Sequence, residues 1–213
     1  GYQGGYIIDM AKEIIAEHGD KFRSLPEGDA IARLEEIGLK KVLAQIEADL
    51  KMLGVTFDVW FSEKSMFKNS QYDTAMAALQ KGGYITKREG ATWFVSTALG
   101  EDKDNVVVRT DGSPTYFATD IAYHLEKYKR SFRKVIDIWG PDHHGYIPRM
   151  RAAVRALGYE ASAIDILIVQ LATLLKGGKP VSMSTRAGEF VTLREVIDEV
   201  GGDVAKFIFL ARK

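Results

Sequence analysis

Four side chains that suit the binding of a cationic ligand recur at helical spacing in the middle of the chain. They are Tyr116, Asp120, Tyr123 and His124. Their positions, i, i+4, i+7 and i+8, share one face of an α-helix. A helix that only filled a core would carry Leu, Ile or Val there. An acid, two phenols and an imidazole on that face instead indicate a pocket for a cationic, polar ligand.

Asp120 suits a guanidinium group in particular. A guanidinium is always charged and presents its donors as a planar fork, so it calls for a carboxylate acceptor in fixed geometry. Tyr116, one turn earlier, offers a ring that can stack on that plane. A lysine ammonium would reach Asp120, but it lacks the planar fork of donors and would leave half of the expected hydrogen bonds unmade. The spacing alone also fits a plainer interpretation, in which Asp120 caps a helix and Tyr116 packs in the core.

A Gly-Pro-Asp-His-His turn at 140–144 follows an apolar segment and precedes a helical pattern. In open α/β sheets, a glycine turn between a strand and a helix is where ligands bind. Gly140 lets backbone approach a ligand closely, and Asp142 is placed to cap the following helix. His143 and His144 do not predict a zinc site, because adjacent side chains diverge and no Cys or carboxylate cluster accompanies them.

Hydrophobic periodicity predicts the elements that position these residues. Before residue 110 it predicts helices over 6–17, 39–53 and 73–81, a loop around Pro26 and Gly28, and strands over 55–61, 84–87, 92–96 and 105–109. After residue 111 it predicts helices over 117–129, 144–157, 193–200 and 204–211, and strands over 135–139 and 164–171. Strands that alternate with helices indicate parallel βαβ connections.

Composition narrows the class of protein. The 213 residues include 29 basic and 29 acidic side chains, so net charge does not indicate a nucleic-acid binder. The absence of cysteine excludes disulfides and Cys-ligated zinc. No apolar run approaches the ~20 residues of a membrane span, and the first residues do not form a signal peptide. These observations predict a cytoplasmic protein without a membrane partner.

Three ordered blocks carry a resemblance to a known family: Tyr-Phe-Ala-Thr-Asp-Ile-Ala-Tyr-His at 116–124, Gly-Pro-Asp-His-His-Gly-Tyr at 140–146, and Val-Ser-Met-Ser-Thr-Arg-Ala-Gly at 181–188. They resemble arginyl-tRNA synthetases, a class I family, and the third block is similar to its Lys-Met-Ser-Lys-Ser loop. Two further blocks, Val-Trp-Phe-Ser-Glu at 59–63 and the segment 191–201, extend the resemblance through nearly the whole chain.

The resemblance implies an α/β fold with two parts. Residues 111–213 would be the second half of a Rossmann-like class I synthetase catalytic domain, including the Lys-Met-Ser-Lys-Ser-like loop. Residues 1–110 would be a mixed helical and antiparallel domain, the connective insertion that splits the nucleotide-binding fold.

The resemblance also implies roles for individual residues. Tyr116, Asp120 and Tyr123 would bind the arginine side chain. The residues that would contact ATP or the adenylate are Gly140, Asp142, His143, His144 and Met183. The residues that would form the catalytic loop are Met183, Ser184 and Arg186.

Two positions depart from the family pattern. Ser182 and Thr185 stand where the loop has lysines, so charge for the phosphates would come from Arg186, from Lys176 or Lys179, or from residues outside the chain. Pro141 replaces a polar residue found in part of the family, which leaves one arginine contact unassigned.

The implied activity is that of an arginine–tRNA ligase, with arginine, ATP and tRNA(Arg) as substrates and Mg²⁺ accompanying ATP. The family's His-Ile-Gly-His element does not occur in the sequence. By the family's order it would precede Gly1, and the anticodon-binding domain would follow Lys213. We therefore expect an internal fragment that is catalytically silent alone. Two alternatives stay open: a class I synthetase for another amino acid, and a non-catalytic module that binds a nucleotide or amino acid.

Overall fold

The computed structural model describes residues 4–170, 173–180 and 190–211. Its elements, in chain order, are α1 Gly5–His18, α2 Glu27–Met52, α3 Glu63–Lys68, α4 Gln71–Lys81, β1 Ile85–Arg88, β2 Ala91–Phe94, β3 Asn105–Val108, α5 Tyr116–Lys129, β4 Val135–Trp139, α6 Ile147–Ala156, β5 Ile164–Ile168, β6 Leu175–Lys176, β7 Lys179–Pro180, α7 Leu193–Val200 and α8 Gly202–Ala211. None of the described helices is both long and apolar enough to span a bilayer.

The chain divides into two compact units. One is Val59–Leu171, and the other combines Gly1–Asp58 with Ala172–Lys213. These two units are defined by the contacts within each of them. The boundary predicted at residue 110 is of another kind, because it marks the end of a proposed insertion in the catalytic fold. It stays a prediction.

The unit Val59–Leu171 holds the predicted chemistry and the main core. Strands β1, β2 and β3 form an antiparallel sheet, and β4 pairs with β5 in parallel, from Val135↔Ile164 to Trp139↔Ile168. Helix α6 lies between these parallel strands in sequence, which confirms the predicted βαβ connection. The core contains apolar side chains from the sheets and from α4, α5 and α6, among them Leu79, Phe94, Val107, Ile121 and Met150.

The other unit is mostly helical. Lys41 of α2 forms salt bridges with Glu13 and Glu17 of α1, at 3.2 and 2.6 Å. Helix α7 begins with a capping box, in which Thr192 accepts from the amide of Glu195 and the Glu195 carboxylate accepts from the amide of Thr192. The hairpin of β6 and β7 completes this unit.

Several sequence predictions about elements were wrong, among them the loop around Pro26 and Gly28, since Gly28 lies in helix α2. Residues 55–61 form no strand, since no neighbouring strand pairs with them and Phe61 instead packs on a helix. Helix α2 begins at Glu27 rather than near residue 39, because Pro26 precedes it and tolerates a helix start. Helix α6 begins at Ile147 rather than His144, since Pro141–Tyr146 form a tighter 3₁₀ turn.

Candidate active site

The start of α5 is fixed against β3. The Thr115 hydroxyl donates to the carbonyl of Val106 at 2.9 Å and accepts from the amide of Ala118 at 3.3 Å, so it caps the helix. The turn before it passes through Gly112, whose φ of +83° favours glycine. Tyr116 therefore begins a well-anchored helix with its side chain 79% exposed. This exposure contradicts the plainer interpretation that Tyr116 packs in the core.

Asp120 lies in a cleft of about 250 Å³ between α5 and the segment that leads into α3. One of its carboxylate oxygens, Oδ2, accepts a hydrogen bond from the Tyr146 hydroxyl at 3.0 Å. Burial raises the pKa of Asp120, the Tyr146 hydrogen bond opposes that rise, and the nearby Glu63 carboxylate adds to it. Asp120 does not cap α5, because Thr115 has that role. The carboxylate is thus a half-buried acceptor that faces an open cleft.

Phe61, Glu63 and Met66 form the wall of this cleft opposite α5. None of these three residues was predicted to line the ligand cleft. The available signal was the Val-Trp-Phe-Ser-Glu block at 59–63, which we used only as a mark of resemblance. Phe61 and Glu63 of that block line the cleft because α3 packs beside α5, a long-range contact that the block's own sequence does not specify. Within the part of the chain that the structure describes, Glu63 forms no salt bridge, so a second carboxylate borders the cleft.

Tyr123 lines the cleft, and its ring is held from several sides. It stacks on Phe61 with centroids 4.4 Å apart and an interplanar angle of 18°. The Lys127 ammonium lies 4.6 Å from the centroid of the Tyr123 ring, and the Arg130 guanidinium lies 5.9 Å from it. These contacts make the ring part of a rigid wall.

His124 does not join the cleft, which corrects the prediction that all four residues share one binding face. Its ring is buried, with Nδ1 2.7 Å from the Asp120 carbonyl oxygen and Nε2 2.7 Å from Oδ2 of Asp137 on β4. Eight residues along a helix correspond to a rotation of about 80° from the starting residue. That rotation is enough to turn His124 from the cleft toward the parallel sheet.

Asp137 is a buried carboxylate that connects α5 to β4. Its Oδ1 also accepts from the Lys127 ammonium at 2.7 Å. Burial alone would raise the pKa of Asp137, but the hydrogen bonds from His124 and Lys127 outweigh it and hold that pKa below its ordinary value. These hydrogen bonds from His124 and Lys127 favour ionised Asp137 and fix α5 on the sheet.

The 140–144 turn lies at the carboxyl end of β4, as predicted, and belongs to the 3₁₀ helix Pro141–Tyr146. A Cβ atom on Gly140 would come within 2.7 Å of Oδ1 of Asp142, so a side chain there would displace that carboxylate. Asp142 does not cap a helix, which corrects the prediction; its Oδ2 lies 3.6 Å from Nε2 of His143. Asp142, His143 and His144 are all exposed.

The 140–144 turn and the cleft are adjacent. Tyr146, the last residue of the 3₁₀ helix that contains most of this turn, donates the hydrogen bond to Asp120. The ring of Tyr146 lies 6.3 Å from that of His143. The structure thus brings together Tyr116, Asp120 and Tyr123 with the corner that carries Gly140 and the paired histidines. Met183, Ser184 and Arg186 lie outside the described residues. Among the described residues, no group of three or more His, Cys, Asp and Glu side chains is placed to hold a metal ion.

Residues 8–208 match the family model described as "tRNA synthetases class I (R), catalytic domain". The chain belongs to this family. It is 50% identical over 212 residues to an arginine–tRNA ligase of Citrifermentans bemidjiense, and 51% identical over 213 residues to one of Dehalococcoides mccartyi. Both alignments cover 100% of this chain and 38% of the relative. The chain therefore spans well under half the length of these curated relatives.

Solved structures agree with this membership. A crystal structure from Campylobacter jejuni, described as an arginyl-tRNA synthetase, superposes with a TM-score of 0.88 at 37% identity, covering 100% of this chain and 45% of that one. The arginyl-tRNA synthetase of Thermus thermophilus superposes with a TM-score of 0.62 at 19% identity, covering 90% of this chain and 39% of that one, and so shows the fold alone. The predicted fold class and family resemblance are confirmed.

Proposed function

We propose that this chain supplies the arginine-binding cleft and the adenylate-side turn of an arginine–tRNA ligase that acts in the cytoplasm. One observation carries the proposal. The half-buried Asp120 carboxylate faces a small cleft, and Tyr146, at the end of the 3₁₀ helix that follows β4, donates a hydrogen bond to this carboxylate. A site for an amino acid beside a site for a nucleotide is what amino-acid activation requires.

The cleft is complementary to a guanidinium group at one end and to an alkyl chain along its wall. Asp120 offers a carboxylate with one oxygen free of the Tyr146 bond, and Glu63 adds a second acidic acceptor. A planar cation with five donors can use both, whereas an ammonium is a point charge that satisfies fewer acceptors in fixed geometry. Met66 and Phe61 provide apolar surface for methylene groups. These features support a preference for arginine over lysine.

In the proposed reaction, the carboxylate of arginine attacks the α-phosphorus of ATP. A new P–O bond forms, the bond to the β-phosphate oxygen breaks, and pyrophosphate leaves with the electron pair. A hydroxyl of the terminal ribose of tRNA(Arg) then attacks the arginyl carbonyl, and AMP leaves. The first step needs no general base, because the carboxylate is already ionised at neutral pH. Positioning and charge stabilisation therefore carry the catalysis.

Within this scheme, we assign the turn to the nucleotide. Gly140, Asp142, His143 and His144 would contact ATP or the adenylate, since they lie at the end of β4 next to the cleft and the last three are exposed. Met183, Ser184 and Arg186 would act on the phosphates. Mg²⁺ would be held mainly by the ATP phosphates, as is usual for this cation. The described residues hold no carboxylate cluster for it.

Asp120→Asn tests the proposal. The change keeps the shape of the side chain but removes the charge that a guanidinium requires. We expect arginine affinity to fall roughly 10- to 150-fold, from the loss of about 1.5–3 kcal/mol of a charge-assisted hydrogen bond. The measurement is calorimetric titration of arginine, lysine and cysteine into the full natural gene product that carries this chain.

Asp165→Asn is the matched control, because Asp165 lies on β5 and pairs with Lys134 outside the cleft. Unchanged arginine binding by Asp120→Asn would contradict the proposal. Tighter binding of lysine or cysteine than of arginine by the unaltered protein would favour a synthetase for another amino acid.

A further inference from the structure

Three neighbouring side chains pack against the ring of Tyr146, which lies in the corner between the turn and α5. The Arg149 guanidinium lies 3.8 Å from the centroid of the Tyr146 ring. Phe117 and Trp139 meet the Tyr146 ring edge-on, at centroid distances of 5.6 and 5.8 Å. The ring is therefore packed between aromatic side chains and a cation, which restricts its movement.

The Tyr146 hydroxyl faces Asp120. The hydroxyl donates its single proton to Oδ2 of Asp120 at 3.0 Å. Burial and then the Asp120 charge raise the pKa of Tyr146 far above its ordinary value, so the phenol stays a donor throughout the physiological range. Tyr146 is not among the residues that line the cleft, so it reaches the carboxylate from outside the cleft. Oδ1 of Asp120 is left for a ligand.

We propose that Tyr146 is a positioning residue that fixes the orientation of the Asp120 carboxylate for the incoming guanidinium and so sets arginine affinity from the nucleotide-side turn. The inference rests on the proposed function of the cleft and extends it to a residue that makes no ligand contact. Because bidentate recognition of a planar fork depends on acceptor geometry, a carboxylate that rotates freely would lose part of its affinity.

The charged surroundings of Asp120 sharpen the expectation. His124 and Lys127 on α5 favour the ionised carboxylate, Glu63 at the start of α3 disfavours it, and the Tyr146 hydroxyl favours it by donation. Removal of the hydroxyl shifts this balance toward the protonated acid. Loss of arginine binding on acidification should then begin at a higher pH, which a purely structural role for the ring would not produce.

Tyr146→Phe is the decisive variant, since it removes the hydroxyl and keeps the ring that packs with Phe117, Trp139 and Arg149. In the full natural gene product we expect the Kd for arginine to rise about three- to tenfold. The pH at which arginine binding is lost on acidification, here called the acidic limit, should rise. The melting temperature should change little. The measurements are calorimetry over a pH series and thermal melting.

Tyr128→Phe is the matched control. The Tyr128 hydroxyl is buried and has no hydrogen-bond partner among the described residues, and its ring stacks on Tyr159 at 4.0 Å. Its removal should leave arginine affinity unchanged. An Asp120→Ala background removes the acceptor, so Tyr146→Phe should have no further effect on arginine binding there.

Equal arginine affinity and an unmoved acidic limit in Tyr146→Phe would overturn the positioning role, as would an equal loss in the Asp120→Ala background. These results are distinct from failure of the proposed function. If Asp120→Asn weakens arginine binding and Tyr146→Phe does not, only the positioning role fails. If Asp120→Asn also leaves binding unchanged, the cleft itself is not the arginine site.

Discussion

Individual side chains on α5 have two separate tasks. Asp120 and Tyr116 face open space, whereas His124 and Lys127 turn inward to the buried Asp137. The sequence spacing identified the polar residues of this helix correctly. It could not divide them between ligand and sheet, because that division depends on which side of α5 the β4 strand covers. Asp137, held by His124 and Lys127, is a structural anchor between α5 and β4.

Asp137→Asn should loosen α5 from β4. The change removes the carboxylate that the buried His124 and the partly buried Lys127 contact, and breaking a buried pair typically costs about 3–5 kcal/mol. We expect faster hydrogen exchange of the α5 and β4 amides at neutral pH, with Asp165→Asn as a control that leaves exchange unchanged.

The pH dependence of that anchor has a definite sign. The pKa of Asp137 is lowered in the folded state from an ordinary value of 3.8. Its contribution to stability is therefore present above that ordinary value and is lost as the pH falls through the lower, folded pKa. The difference in protection between wild type and Asp137→Asn should shrink in that acidic window. A difference that grows on acidification would contradict this assignment.

At the scale of elements, the site depends on three junctions. The cap at Thr115 starts α5, the 3₁₀ turn after β4 presents Tyr146, and α3 closes the cleft with its own Met66 and with Phe61 just before it. Periodicity predicted α5 and β4 to within a residue, because both are long, regular and half buried. It failed at 55–61, where Phe57 and Val59 are more than half exposed and Phe61 stacks on Tyr123 of α5 instead of joining a sheet. The wall of the cleft was missed for that reason.

Phe61→Ala tests the role of that wall. The change removes the ring that stacks on Tyr123 and lies 5.1 Å from the Arg130 guanidinium. Stacked aromatic pairs contribute about 0.5–1.5 kcal/mol, so we expect the KM for arginine to rise roughly two- to twelvefold with kcat less affected. Phe132→Ala is the control, because Phe132 is 57% exposed and does not line the cleft. An unchanged KM in Phe61→Ala would show that α3 is not part of the binding wall.

At the scale of the whole molecule, the chain corresponds to one segment of its longer relatives. It aligns over 100% of its own length and 38% of the Citrifermentans bemidjiense ligase. Ordered sequence blocks predicted the family and the α/β fold, and both are confirmed. The roles of the 181–188 loop stay predictions, because that loop lies outside the described residues.

The isolated chain should not catalyse arginine-dependent exchange between ATP and pyrophosphate. The sequence holds no His-Ile-Gly-His element, and a helix N-terminus that binds phosphates is needed to stabilise the charge that develops on them. The assay is incorporation of labelled pyrophosphate into ATP, with the full natural gene product and tRNA(Arg) as the comparison. Measurable arginine-dependent exchange by these 213 residues alone would refute the prediction.

The central claim is that the Asp120 cleft holds the guanidinium of arginine. A crystal structure of the full natural gene product with bound arginine tests it most directly. We predict guanidinium nitrogens within about 3 Å of the Asp120 carboxylate, with the arginine carboxylate directed toward the 140–144 turn. Arginine bound elsewhere, or bound with its guanidinium pointing away from Asp120, would contradict the account.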